Sequence, residues 1–289
     1  MKETDRIQMV RLGETGYPSR LAEIKNPPKQ LYYIGNLRML EKPCAAVIGS
    51  RTTTTYGRNT AIAIARCLAE HGVTVVSGMA MGIDSCAHNG ALAGGGNTAA
   101  VLGCGVDVCY PPENSGLKRE LETKGLAISE YSPGTRPERY NFPTRNRIIS
   151  GLCHITIVVQ ARNRSGSLIT AELAAEQGRE VLAVPGNIDS QYNLGNNKLI
   201  REGATPLISI NDVLEPFGLR RITGEMAREK LSDREYEIFR LLQEHGEMGI
   251  DEVCYHIGKE PGYVNPIISV MEMKGFIFSA LGKIFLANV

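Results

Sequence analysis

Short apolar runs closed by glycine or serine recur along most of the chain, separated by stretches of helical periodicity. CAAVIG (44–49), VTVVS (73–77), TAAVLG (98–103), LAIS (126–129), HITIVVQ (154–160) and EVLAVPG (180–186) each predict a buried strand. LIS (207–209) reads as a last edge strand. Between these runs, Tyr56 to Glu70 places Ile62, Ala65 and Leu68 near helical spacing and stops at His71-Gly72. GMAMGID turns into a helix through Leu92, and SLITAELAAEQG (167–178) predicts another. Residues 1–40 lack this rhythm. YPSRL (17–21) and NPPKQLYYIGN (26–36) read as turns and an edge strand, because paired prolines cannot continue a helix. The expectation is a short lead-in over 1–40, then an α/β domain over 41–218 with an extended, Rossmann-like, mostly parallel sheet. Ligands on such sheets bind outside the carboxyl ends of the strands.

EPFGLRRITGEMAREK (215–230) breaks the pattern with proline, glycine and mixed charge, and predicts a linker over 219–230. LSDREYEIFRLLQEHG (231–246) opens on Ser232 as N-cap, with Glu235 completing a capping box and a glycine stop. IDEVCYHIG (250–258) and YVNPIISVMEMKGF (263–276) are two further amphipathic helices, and IFSALGKIFLA (277–287) reads as a β-hairpin turning near Gly282-Lys283. Three helices and a hairpin predict a small winged-helix domain over 231–289.

The 289 residues, 43% hydrophobic with 31 glycines, suffice for one large and one small domain. No apolar run approaches the roughly 18 residues of a membrane span. MKETDRIQMV is charged and lacks the apolar core of a signal peptide, so a cytoplasmic protein is expected. The seven cysteines are scattered and contain no C-x-x-C pair, which favours ordinary buried thiols. Cys104 and Cys109 have no further His/Cys cluster to complete a metal site.

A net charge of +1 excludes a polycationic coat, so the distribution of charge decides. Six arginines (136, 139, 145, 147, 162 and 164) and one acid, Glu138, fall between Arg136 and Arg164, whereas residues 220–289 sum to −2. A phosphate-binding surface is therefore expected on the first domain.

The candidate site residues lie in turns after predicted strands. Gly49, Ser50 and Arg51 open GSRTTTTYG, where backbone amides and hydroxyls can cradle a phosphate; a tight turn capped by threonines is the competing reading. Ser77 and Gly78 begin SGMAMGIDSCAH (77–88), in which Asp84 caps a helix and His88 lies one turn on, a pair read as structural for want of a nucleophile. In FPTRNRIISGL (142–152), Arg145, Asn146 and Arg147 crowd one helix N-terminus, where the helix dipole already favours anions. Phosphate binding accounts for that arrangement; buried salt bridges holding loops together are the alternative. In ARNRSGSLITAE (161–172), Arg164, Ser165, Gly166 and Ser167 repeat the logic. VPGNI (184–188) and GNNKLIREGA (195–204) complete the rim. Aromatics are few, and Tyr140 and Phe142 are the only stacking candidates, Phe142 doubling as a core residue.

In order along residues 17–216, GSR, SGMAMGID-x-x-AH, VLGCGVDVCYPPEN, SEYSPGT, FPTRNRIISGL, RSGSLITAELAAEQGREVLAVPG and GNNKLIREGA resemble the signature stretches of the DprA/Smf family. The resemblance implies a dimeric Rossmann-like protein that binds single-stranded DNA and helps load RecA recombinase on incoming DNA in natural transformation. It implies no catalytic residue, cofactor or metal. Many members carry Arg where this chain has Met81, Glu where it has Gln160 and Cys where it has Asn196. Many also begin with a helical domain that the short segment before the first core strand leaves no room for.

Three rivals compete. A nucleotide-binding or nucleotide-hydrolysing Rossmann protein of the LOG-like group would use P-G-G-x-G-T-x-x-E. The nearest match, AGGGNTAA (93–100), lacks both the proline and the carboxylate. A dinucleotide-dependent oxidoreductase needs G-x-G-x-x-G after the first strand, and GSRTTTTYG lacks that spacing. A duplex-binding transcription factor is disfavoured by the net −2 of the C-terminal segment.

Overall fold

The computed structural model describes residues 6–219, 227–228, 230–280 and 282–286. Most of the expected linker, and the Leu281 and Ala287 positions of the expected hairpin, lie outside the described residues. The chain divides into two units, residues 1–217 and 218–289.

The first unit is built on a nine-stranded sheet of order β1-β2-β6-β5-β4-β3-β7-β8-β9. Its parallel part comprises β3 (Cys44–Gly49), β4 (Thr74–Ser77), β5 (Thr98–Val101), β6 (Leu126–Ser129), β7 (Ile155–Gln160), β8 (Glu180–Ala183) and the two-residue β9 (Thr205–Pro206). β3, β4, β5, β6 and β7 are wholly buried apart from Gly49, as strands covered on both faces must be. Successive side chains go to opposite faces. Ala99 and Val101 join the core under α5 (Asn141–Leu152) and α6 (Gly166–Glu176), while Ala100 and Ala127 pack with Leu121 of α4 (Ser115–Lys124). α2 (Thr55–Glu70) and α3 (Ile83–Ala93) pack against each other. Asn196, buried on α7 (Leu194–Arg201), donates to the carbonyls of Val158 and Val184 at 2.8 and 2.9 Å, tying the ends of β7 and β8.

The first forty residues differ from the expected lead-in. β1 (Gln8–Arg11) and β2 (Gln30–Gly35), with the short α1 (Ser19–Ala22) between them in the chain, pair antiparallel and join β6, so they extend the sheet. Val10, Leu31 and Ile34 are buried there, and Tyr17 donates its hydroxyl to the Pro28 carbonyl at 2.8 Å, closing the proline turn. The last edge strand lies just ahead of the expected 207–209.

The second unit has helices at Asp233–His245, Ile250–Ile257 and Pro261–Met273 and an antiparallel sheet of Met248–Gly249, Lys283–Leu286 and Ile277–Ala280, in that spatial order. Ser232 and Glu235 form the expected capping box, and Glu235 also accepts from Lys274 Nζ at 2.7 Å. Ile238, Leu242, Val253, Val264, Met271 and Ile284 build its core. No helix among the described residues is long and apolar enough to cross a membrane.

His88 on α3 is fully buried. Thr98 Oγ1 donates to the Val75 carbonyl at 2.9 Å, so the 2.7 Å contact between Thr98 Oγ1 and His88 Nδ1 makes the imidazole the donor. The expected Asp84–His88 pair is replaced by His88–Thr98. Burial, reinforced by the Arg145 charge, pulls the His88 pKa down from 6.5 to about 3. Below pH 6.5 the unfolded chain takes up a proton that the folded chain refuses, so stability falls as pH drops through this window. Between pH 7 and 5 this contributes about 2 kcal/mol of lost stability. The check is urea unfolding of wild type and His88→Asn at both pH values: the substitution should remove that part of the slope, and an unchanged slope rules the account out.

Candidate nucleic-acid interface

β3 and β7 are neighbours from which the sheet winds in opposite directions, so their carboxyl ends open a crevice at a topological switch point. A cleft of about 750 Å³ lies there, lined by the turns after β3, β4 and β7, the start of α5, and Tyr110 and Arg139 from the loops after β5 and β6.

The turn after β3 is held by Ser50 and by Gln160 at the end of β7. Ser50 N–H donates to the Gln160 carbonyl at 2.7 Å, and Ser50 Oγ donates to the Thr52 carbonyl at 2.7 Å. Gln160 Oε1 accepts from Thr53 Oγ1 at 2.8 Å and from Thr54 N–H at 3.0 Å, while its amide donates to Asn193 Oδ1 at 2.9 Å. Gly82, at φ +85°, caps α3; a Cβ there would lie 2.4 Å from the Ser50 carbonyl oxygen, so only glycine lets the second turn pass under the first. Arg51 projects from this frame, exposed, with its guanidinium 5.6 Å from the Phe142 ring centre.

Arg145 has a different position. It is 4% exposed and donates through Nη1 to the carbonyls of Gly78, at 3.0 Å, and Val101. A Cβ on Gly78 would lie 2.7 Å from both Arg145 Nη2 and Asp84 Oδ2, so the absent side chain lets the two charges face each other. Burial pushes the Asp84 carboxyl above its ordinary pKa, opposed by Arg145 and by the backbone amides of Ala80, Gly49 and Gly78. Burial likewise draws Arg145 down to about 10, which keeps it charged at neutral pH. Arg147 binds Glu130 at 2.6 Å and does not line the cleft. Two arginines expected on the rim are thus engaged inside the protein. The physical reason is register: α5 begins at Asn141, and Arg145 shares a buried stripe with Ile148, Ile149 and Leu152.

Of the other expected residues, Gly49, Ser50, Asn146, Arg164, Ser165, Gly166 and Ser167 line the cleft. Ser165 caps α6, its hydroxyl accepting from Ser167 N–H at 3.4 Å and meeting Ser167 Oγ at 2.7 Å. Asn146 reaches the Gly166 carbonyl at 3.5 Å. Ser77 lies beneath the site, fully buried and bonded to the Val47 carbonyl at 2.7 Å. Tyr140 is 72% exposed and outside the cleft lining. The lining residues outside the expected site set include Tyr110, Arg139 and Arg162, the last stacked over Tyr192 at 4.5 Å. The arginine count around residues 136–164 contained the signal for two of them. AGGGNTAA, the nearest match to the rival hydrolase motif, turns from α3 into β5 at the amino end of the sheet, opposite the cleft.

The family model described as DNA recombination-mediator protein A matches residues 8–218. The chain is 44% identical over 216 residues to DNA processing protein DprA of Streptococcus pneumoniae, covering 75% of this chain and 76% of that protein. It is 40% identical over 231 residues to Protein Smf of a Synechocystis strain, covering 78% of this chain and 58% of that protein. The X-ray structure of the pneumococcal protein superposes with a TM-score of 0.71 over 74% of this chain and 75% of that one. DNA processing protein A from Helicobacter pylori, described for its single-stranded DNA binding mode, superposes with a TM-score of 0.66 at 32% identity, over 73% of this chain and 95% of that one.

The two kinds of arginine separate by stability alone. Arg145→Ala strands the Gly78 and Val101 carbonyls and leaves the buried Asp84 without its counter-charge, which should cost about 3–5 kcal/mol. Arg51→Ala removes an exposed side chain and should change stability by about 0.5 kcal/mol or less. Thermal melts of the two variants check this; equal losses refute the assignment.

Proposed function

The chain belongs to the DNA recombination-mediator protein A, or DprA/Smf, family, and from that premise we propose that it binds single-stranded DNA in the switch-point cleft. The observation that carries the reading is the exposed Arg51, projecting from a rigid turn over the Phe142 ring of that cleft. Arg139 and Arg164 are exposed beside it, and the capped N-terminus of α6 turns its amides to the same space. Backbone phosphates bind these groups through charge-assisted hydrogen bonds without regard to sequence. Arg145 supplies positive potential from below while holding the floor in place.

The protein works in the cytoplasm as a homodimer and helps load RecA recombinase onto the strand it protects. These readings rest on the family alone. On this reading the cleft is a binding site and not a hydrolytic one, and its buried carboxylate, Asp84, faces Arg145. The second unit is a winged helix whose net −2 charge suits partner contact or regulation better than strand binding.

Single-stranded oligo-dT should bind more tightly than duplex of equal length, with affinity falling as salt rises because phosphate neutralisation releases counterions. Arg51→Ala should weaken strand binding about ten- to a hundredfold, the worth of one or two charge-assisted bonds. Titrations across salt check both; equal or tighter duplex binding, or full affinity in Arg51→Ala, overturns the reading. Removing residues 225–289 should leave oligo-dT affinity within about tenfold, or about 1.4 kcal/mol. A larger loss in a folded, dimeric truncation assigns strand binding to the second unit instead.

A further inference from the structure

Tyr110 forms one wall of the cleft, 38% exposed, and its hydroxyl donates to no other described residue. Its ring centre lies 5.3 Å from that of Phe142, with the planes tilted by 38°. Both rings are held firmly. Phe142 packs on the backbone of Gly103, where a Cβ would approach its Cδ1 to 2.9 Å. Tyr110 leads into two prolines and a short 3₁₀ turn (Pro112–Asn114), and Asn114 Nδ2 donates to the Met79 carbonyl at 2.9 Å, anchoring this loop to the turn after β4. Arg51 already sits over Phe142, whereas Tyr110 has no cation stacked on it among the described residues. The cleft thus sets a cation beside one ring and leaves a fixed, partly open ring next to it.

We infer that Tyr110 is a base-stacking residue: one unstacked nucleobase of the bound strand lies on the Tyr110 ring while its phosphate faces Arg51 and Arg139. This deepens the strand-binding reading and rests on it. An aromatic face accepts any base, so the stack adds affinity without sequence preference. It also selects single strands, because a base paired in duplex cannot leave its neighbours to reach the ring. The stack is formed by a rigid loop, so little side-chain freedom is lost on binding.

The experiment uses the full chain and two fluorescent probes of equal length, oligo-dT and a phosphodiester strand of abasic tetrahydrofuran units. Tyr110→Ala should weaken oligo-dT binding about five- to a hundredfold and leave the abasic strand unchanged, while Tyr110→Phe, which keeps the ring, stays within about twofold of wild type on both. A Tyr110→Ala effect that is equal on both probes makes the residue a general support of the cleft and overturns the inference, as does no effect on either. If wild type binds neither probe, the strand-binding reading itself fails and takes this inference with it. A second measurement needs no variant: wild type irradiated with an oligo-dT carrying one 5-iododeoxyuridine should yield an adduct on Tyr110 by peptide mass spectrometry. Adducts confined to peptides outside the cleft overturn the assignment.

Discussion

A single buried guanidinium at the carboxyl end of the sheet sets the geometry around it. Arg145 reaches from α5 across the ends of β4 and β5 and closes on the Gly78 and Val101 carbonyls. Both carbonyls lie at the carboxyl ends of β4 and β5, and a buried polar group without a partner is costly. The charge itself could not be buried without an opposing one, which Asp84 supplies across Gly78. Three elements are thereby locked together: the helix that carries Arg145, the glycine that leaves it room, and the start of α3 that presents Asp84.

The arginines in and around the cleft divide by depth. Arg145 and Arg147 hold loops, one through carbonyls and the other through Glu130, whereas Arg51, Arg139 and Arg164 face solvent. An exposed guanidinium loses little hydration while waiting and can form two parallel bonds when a phosphate arrives. A buried one is already bonded, so its part toward a ligand is the field it projects through a low-dielectric floor. A cationic cleft of this kind stays stable in the empty state because only the deepest charge needs an internal partner.

Much of the sheet was legible because its strands are apolar runs punctuated by glycine and serine. The bounds of β3 and β6 agree with the expectation to the residue, since Gly49 and Ser129 end both runs. The strand expected within 26–36 is β2, one place in from the edge, whereas β1 was not legible: QMVR mixes polar and apolar positions and buries only Val10, as an edge strand half open to water does. For Arg145 and Arg147 the sequence left phosphate binding and buried ties between loops side by side, because charge is visible in a sequence and depth is not. A trace existed all the same, for Arg145 stands three, four and seven residues before Ile148, Ile149 and Leu152, which is the spacing of one helix face. Tyr110 was hidden for the opposite reason: it sits before two prolines, in a loop with no periodicity to read.

The turn that carries Arg51 shows how a neutral side chain can serve a cationic site. Gln160, at the end of β7, accepts from Thr53 and Thr54 with its oxygen and donates to Asn193 with its nitrogen. A carboxylate at this position would accept from the same threonines but could not donate to Asn193, and it would place a negative charge at the back of an arginine-lined cleft. The amide satisfies both neighbours and leaves the positive potential intact. The Gln160 side chain holds the chain after Arg51, and its main-chain carbonyl accepts from Ser50 N–H just before it, so the backbone that carries the guanidinium is tied on both sides. The place of the exposed cation is therefore set by the frame beneath it, and that frame is made of neutral groups: a glutamine, an asparagine, a serine and two threonines.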